Sequence, residues 1–78
     1  GTTERLLLPA TALVRRSEIA AVYVVSPAGR VGLRQIRPGH VYGERVEVLA
    51  GLSPGEKIAL DPVAALVAQR LQREAGDE

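Results

Sequence analysis

Gly43-Glu44-Arg45-Val46-Glu47-Val48-Leu49-Ala50-Gly51-Leu52-Ser53-Pro54-Gly55-Glu56-Lys57-Ile58-Ala59-Leu60 reads as strand, tight turn, strand. Val46 and Val48 alternate with Arg45 and Glu47, the period of two that buries one face and wets the other. Ile58 and Leu60 repeat the alternation beyond the turn. Between them Gly51 opens a loop in which Pro54-Gly55 supplies a preset φ and then a residue tolerant of positive φ, as a type II turn requires. A loop of this length does not force the two strands to pair with each other. They are free to serve different parts of a small barrel.

Upstream, Leu6-Leu7-Leu8-Pro9 is a short apolar run stopped by proline, the pattern of an edge strand. Ala12-Leu13-Val14 reads as a second short strand or a single turn, and Arg15-Arg16-Ser17-Glu18 as a charged loop. Ala21-Val22-Tyr23-Val24-Val25 is the strongest strand signal, β-branched or aromatic at nearly every position and apolar on both faces, hence central. Pro27-Ala28-Gly29 closes a hairpin, with Gly29 at the left-handed position. The return strand runs from Arg30 or Val31 to Arg37. Val31 and Leu33 share a face that Ile36 does not. Either a bulge near Arg34-Gln35 rephases the strand or Ile36 packs on a second surface. Pro38-Gly39 reads as another turn before Val41-Tyr42-Gly43.

After Leu60 the period changes to that of a helix. Asp61 is a good N-cap and Pro62 suits the first helical position. Val63, Leu66, Val67 and Leu71 mark one apolar face by their spacing, narrow and alanine-rich enough to predict packing on the domain's own sheet instead of on a membrane. Arg70 and Arg73 complement the dipole at the far end, and Gly76 is a natural stop. The expected organisation is a β domain over residues 1–61, a helix packed on it over 62–75 and a loose tail at 76–78. The fold class is all-β: a small β-roll or partly open β-barrel of about five to seven short strands with one C-terminal α-helix.

Composition narrows the chemistry. The 78 residues suit one domain, small enough to be marginal alone. Without Cys, Met, Trp or Phe, the core must come from Val, Leu, Ile and Ala, and disulfides or thiolate zinc sites are excluded. A net charge of +1 with mixed signs argues against a polyanion partner. No apolar run approaches the ~20 residues of a membrane span. The opening Gly1-Thr2-Thr3-Glu4, without methionine or signal peptide, reads as a piece of a longer protein.

His40 is the only histidine, and with no cysteine beside it a surface turn residue outweighs a metal ligand or base. Glu44, Glu47 and Glu56 read as solvated strand faces and turns, since paired-carboxylate catalysis needs a cleft. Ser17, Ser26 and Ser53 lack a Gly-x-Ser-x-Gly elbow, and Gly29 and Gly32 precede no helix that would cradle phosphate. The residues thus predict a non-enzyme with no cofactor and no metal. Arginines outnumber lysines nine to one. A GC-rich genome is the plain cause; the sharper one is a recognition surface, for which arginine is favoured. Arg15, Arg16 and Arg37, with His40 and Tyr42, are the candidate protein-interaction residues. A small barrel with this Gly-bounded hairpin also resembles RNA-binding SH3-like modules, but only Tyr23 and Tyr42 are there to stack bases, so no nucleic-acid partner is expected.

The central stretch fits the pattern G-[DE]-x-V-E-V-x-x-G-L-x-x-G-[DE]-x-[VI]. It resembles the C-terminal, membrane-proximal region of periplasmic adaptors, or membrane fusion proteins, of resistance-nodulation-division (RND) efflux pumps. Further landmarks fall in the same order: Pro9-x-x-Ala12-Leu13, Arg15-Arg16, Val22-Tyr23-Val24-Val25, the hairpin to Arg30-Val31, and Arg34-Gln35-Ile36-Arg37-Pro38-Gly39. The resemblance spans about Leu8 to Pro62. It implies a non-catalytic small β-barrel or β-roll in the periplasm, associated with the inner membrane. Its implied partners are the inner-membrane RND transporter, neighbouring adaptors in a ring and, through the rest of the adaptor, an outer-membrane channel. Two departures stand out: adaptors are much longer, and the helix after Asp61 is not a general family feature. In that family the domain draws on two distant chain segments, of which this chain carries the later one. Open strand edges should therefore lead the isolated chain to self-associate, most simply as a dimer.

Overall fold

A computed structural model describes residues 5–75. Six strands and one helix follow each other: β1 (Leu6–Pro9), β2 (Val14–Arg16), β3 (Ile19–Val25), β4 (Val31–Tyr42), β5 (Arg45–Ala50), β6 (Lys57–Ile58) and α1 (Pro62–Glu74), with one 3-10 turn at Ala10–Ala12. All pairings are antiparallel, in the order β1-β5-β4-β3-β2, and β6 pairs with β3. The path does not close on itself, so the architecture is the partly open β-roll with one C-terminal helix that the sequence predicts.

Alternation builds the core. Leu6 and Leu8 lie opposite Val48 and Val46, and Ala20 lies opposite Ile36. Leu8, Ala12, Ala20, Val22, Ile36, Val46 and Val48 are buried together, with Leu13, Val24, Leu52 and Ile58 packed around them. The reading of β3 as central holds: it pairs with β4 along one edge and with β2 and β6 along the other. Its second face, carrying Ala21 and Tyr23, is buried as well, and α1 lies against β3 and β4. The strands flanking the central loop part company as anticipated: β5 pairs with β1 and β4, whereas β6 pairs with β3.

The turns at Pro27–Gly29 and Pro54–Gly55 form where expected. Gly29 donates its N–H to the Ser26 carbonyl at 2.8 Å, and both Gly29 and Gly55 have positive φ. Pro38-Gly39 is a correction, since it is not a turn but part of β4. Pro38 has no N–H for the ladder, and the pairing register shifts on both sides of it. There β4 changes partner, from β3 over Val31–Ile36 to β5 over Arg37–Tyr42. The chain reverses instead at Gly43-Glu44, a two-residue hairpin loop with Gly43 at positive φ. No bulge rephases Arg34-Gln35. The ladder is regular there, and Ile36 packs on the core face opposite to that of Leu33.

Three further expectations change. Arg15 and Arg16 belong to strand β2, not to a loop; only Ser17 and Glu18 turn. The strand ends at Ile58, followed by one more bond toward β3 from the Ala59 N–H to the Tyr23 carbonyl at 2.8 Å; the chain then turns into the helix, leaving Leu60 exposed. The helix begins as predicted, with Asp61 Oδ1 accepting from the N–H groups of Val63 and Ala64 at 3.0 and 3.2 Å. Its orientation differs, however. Val63, Val67 and Leu71 are 72%, 52% and 59% exposed, whereas Ala65 is 5% exposed. Ala65 sits against the sheet and Leu66 is half-buried beside Tyr23, whereas Val63, Val67 and Leu71 of the predicted stripe face out. The stop at Gly76 and the tail at 76–78 lie outside the described residues.

Candidate interaction surface

Outward-facing positions of β4 and β5, with Arg5 just ahead of β1, build a polar-aromatic cluster. In β5, Val46 and Val48 point into the core, so Glu47 and Leu49 point out. Glu47 is nevertheless held: its side chain is only 14% exposed. Its Oε1 lies 3.4 Å from the His40 N–H and 3.8 Å from His40 Nδ1, and its Oε2 lies 3.9 Å from Arg5 Nε. Arg5 in turn donates from Nη1 to the Tyr42 hydroxyl at 2.7 Å, and its guanidinium carbon sits 5.7 Å from the Tyr42 ring centroid, within cation–π range. The His40 and Tyr42 rings are 6.2 Å apart. Together with Gly39 and Leu49 these residues line a groove of about 580 Å³.

Gly39 is what lets the cluster close. A Cβ there would stand 2.8 Å from Glu47 Oε1 and 3.1 Å from the Leu49 side chain. The register shifts around Pro38 thus set a residue without side chain against Glu47 and Leu49 of β5 and deliver His40 and Tyr42 to one face.

Of the five residues singled out from the sequence, the fold unites His40 and Tyr42. Arg15 and Arg16 stand exposed on β2, at the other end of the strand order. Arg16 borders a crevice with Tyr23, Pro62, Val63 and Leu66. Arg37 is exposed where β4 first pairs with β5, opposite Ala50. Sequence reasoning missed Arg5 and the anchoring part of Glu47, both of which depend on strands distant in sequence. It also treated Glu56 as a solvated turn residue, whereas Glu56 Oε1 accepts from Arg34 Nη1 at 2.6 Å and Oε2 from the Ser53 N–H at 2.7 Å. This pair lies in a second groove, of about 710 Å³, between the Ser26-Pro27 and Pro54-Gly55 turns. Among the described residues no group of three His, Asp or Glu side chains is placed to hold a metal ion.

What the cluster offers chemically is recognition. An aromatic ring, a guanidinium and an exposed imidazole, backed by a half-buried carboxylate, make an amphipathic surface of the kind that anchors protein contacts. A protein-family model described as the C-terminal permuted SH3 domain of RND MFPs matches residues 4–64. No curated protein matches the chain.

Proposed function

The chain belongs to the family of C-terminal permuted SH3 domains of RND membrane fusion proteins, and from this we propose that it is the non-catalytic docking part of an efflux-pump adaptor. Membrane fusion proteins of this class are periplasmic adaptors of the Gram-negative envelope. In the reading proposed here the domain rests on the inner-membrane RND transporter and supports export across the envelope. Neighbouring adaptors form a ring with it, and the rest of the adaptor connects to an outer-membrane channel. The family match over 4–64 carries this reading. The exposed arginines and the Arg5-His40-Tyr42 cluster support it, because they supply side chains suited to an interface.

The first prediction tests the surface in the full-length adaptor. Charge reversal by Arg15→Glu with Arg16→Glu, and separately Tyr42→Ala, should each weaken co-purification with the transporter and lower export of a fluorescent substrate. An interface anchor is worth more than about 1 kcal/mol, roughly fivefold in affinity. The melting temperature of the charge-reversed protein should stay unchanged. Normal co-purification and normal export in both variants would remove these residues from the contact.

A further inference from the structure

Val31 opens β4 with an unusual partner. Its N–H donates to Gln72 Oε1 at 2.7 Å, and its carbonyl accepts from Gln72 Nε2 at 3.3 Å. One side-chain amide from α1 therefore satisfies both backbone groups of a strand residue 41 positions away. A primary amide carries the donor and acceptor of a peptide group, so Gln72 does for Val31 what a residue of a neighbouring strand would do.

The bonds also identify the edge. Val31 lies opposite Val25, yet its polar groups are taken by Gln72, so they point away from β3. Alternation along an antiparallel ladder turns those of Leu33 and Gln35 the same way. β5 does not reach this stretch, because its pairing with β4 begins at Arg37. The open stretch ends at Gln35, whose carbonyl abuts Gly51 closely enough that a Cβ would stand 2.6 Å away. Among the described residues the result is an unpaired strand edge centred on Leu33 and blocked at its start by a helix. That helix is lightly held, with Ala65 its one buried residue, and it runs on past residue 64, where the family match ends.

We infer that this edge of β4 is a strand-acceptor surface for a second copy of the chain, and that Gln72 keeps it shut. The side chains favour a two-fold, antiparallel pairing. Centred on Leu33, it sets Val31 opposite Gln35 and the long Arg34 opposite Gly32, which has no side chain to obstruct it. Parallel pairing in register would set Arg34 against Arg34, and like charges directly opposite destabilise a sheet. The two-fold arrangement closes after two copies. Strand exchange between chains, expected from the open edges, thus depends at this edge on release of α1.

The test uses Gln72→Leu in the 78-residue chain, which keeps the side-chain bulk and removes both bonds. Exchange of the Val31 amide with deuterium should rise about threefold to tenfold. A dimer should then appear in sedimentation at concentrations where the unaltered chain shows none. Adding Leu33→Lys, which places two ammonium groups opposite each other across the two-fold, should return that variant to monomer. Should Gln72→Leu melt out, Gln72→Met gives the same readout, because its unbranched side chain has neither the amide oxygen that accepts from the Val31 N–H nor the amide N–H that donates to the Val31 carbonyl. Unchanged Val31 exchange, a chain that stays monomeric without the Gln72 bonds, or a dimer indifferent to Leu33→Lys would each overturn the proposal.

Discussion

Glu56 ties two parts of the chain together with one carboxylate. Its bond from the Ser53 N–H, and after that the guanidinium of Arg34, hold its carboxyl below the ordinary value of 4.5. A depressed carboxylate contributes stability above its unfolded pKa and loses it as the pH falls through the folded one. Melting temperature should therefore be level near neutrality and decline once the pH drops below 4.5. In Glu56→Gln that acid decline should be shallower, and a titration followed by circular dichroism checks it; identical acid limbs in the two proteins would contradict the assignment. Glu56 and Glu47 look alike in the sequence, each a carboxylate beside an alternating strand. What separates them from solvated residues is Arg34 in one case and Arg5 with His40 in the other. Those partners arrive through sheet pairing, which no local pattern encodes. The alternation of Val46 and Val48, by contrast, was fully legible, because which face a strand residue takes is a local property once one face is buried.

The helix shows the same division at the scale of one element. Its start was legible because capping is local: Asp61 bonds Val63 and Ala64 two and three residues on. Its rotation was not. Counting large apolar residues turns Val63, Leu66, Val67 and Leu71 inward, but of these only Leu66 is half-buried; the sheet receives Ala65, and Gln72 reaches the β4 edge from the same side. A small residue permits close approach, and the amide bonds fix the angle. Two substitutions should therefore rank opposite to their hydrophobicity. Val67→Ser removes an exposed side chain and should change stability by no more than about 0.5 kcal/mol. Asp61→Ala removes only a polar cap and should cost about 0.5–2 kcal/mol. Urea unfolding decides between the orientations, and a larger loss for Val67→Ser would mean that the apolar stripe is covered in solution.

At the scale of the whole molecule, β4 is the shared member. Its first half pairs with β3 and its second with β5, so neither half of the roll has a core of its own. Leu8 and Val46 from one half meet Val22 and Ile36 from the other. The two halves should then unfold in one transition. Leu8→Ala, at a buried position, should cost about 2–5 kcal/mol. At roughly 4–8 °C per kcal/mol for a domain of this size, that is a large part of its margin. Probes placed in β1 and in β3 should report the same lowered midpoint; separate midpoints would mean independent halves. The continuity of β4 was also the least legible feature, because Pro38-Gly39 carries turn residues at a place where tertiary pairing keeps the strand extended and only shifts its register. Fold class, strand count and central strand could be read from alternation and propensity, whereas the partner switch could not.

The pairing of β1 with β5 has a consequence in time. Leu6, Leu7 and Leu8 are made some forty residues ahead of their partners Val48, Glu47 and Val46. At about 5–20 residues per second of synthesis, the leucine run waits roughly two to eight seconds before its place in the sheet exists. During that interval the β3–β4 hairpin, whose strands are neighbours in sequence, has already had time to close. Among the described strands β1 is thus made well ahead of its partner and is a late one to dock, and until β5 emerges its apolar side chains are the stretch that a chaperone would meet.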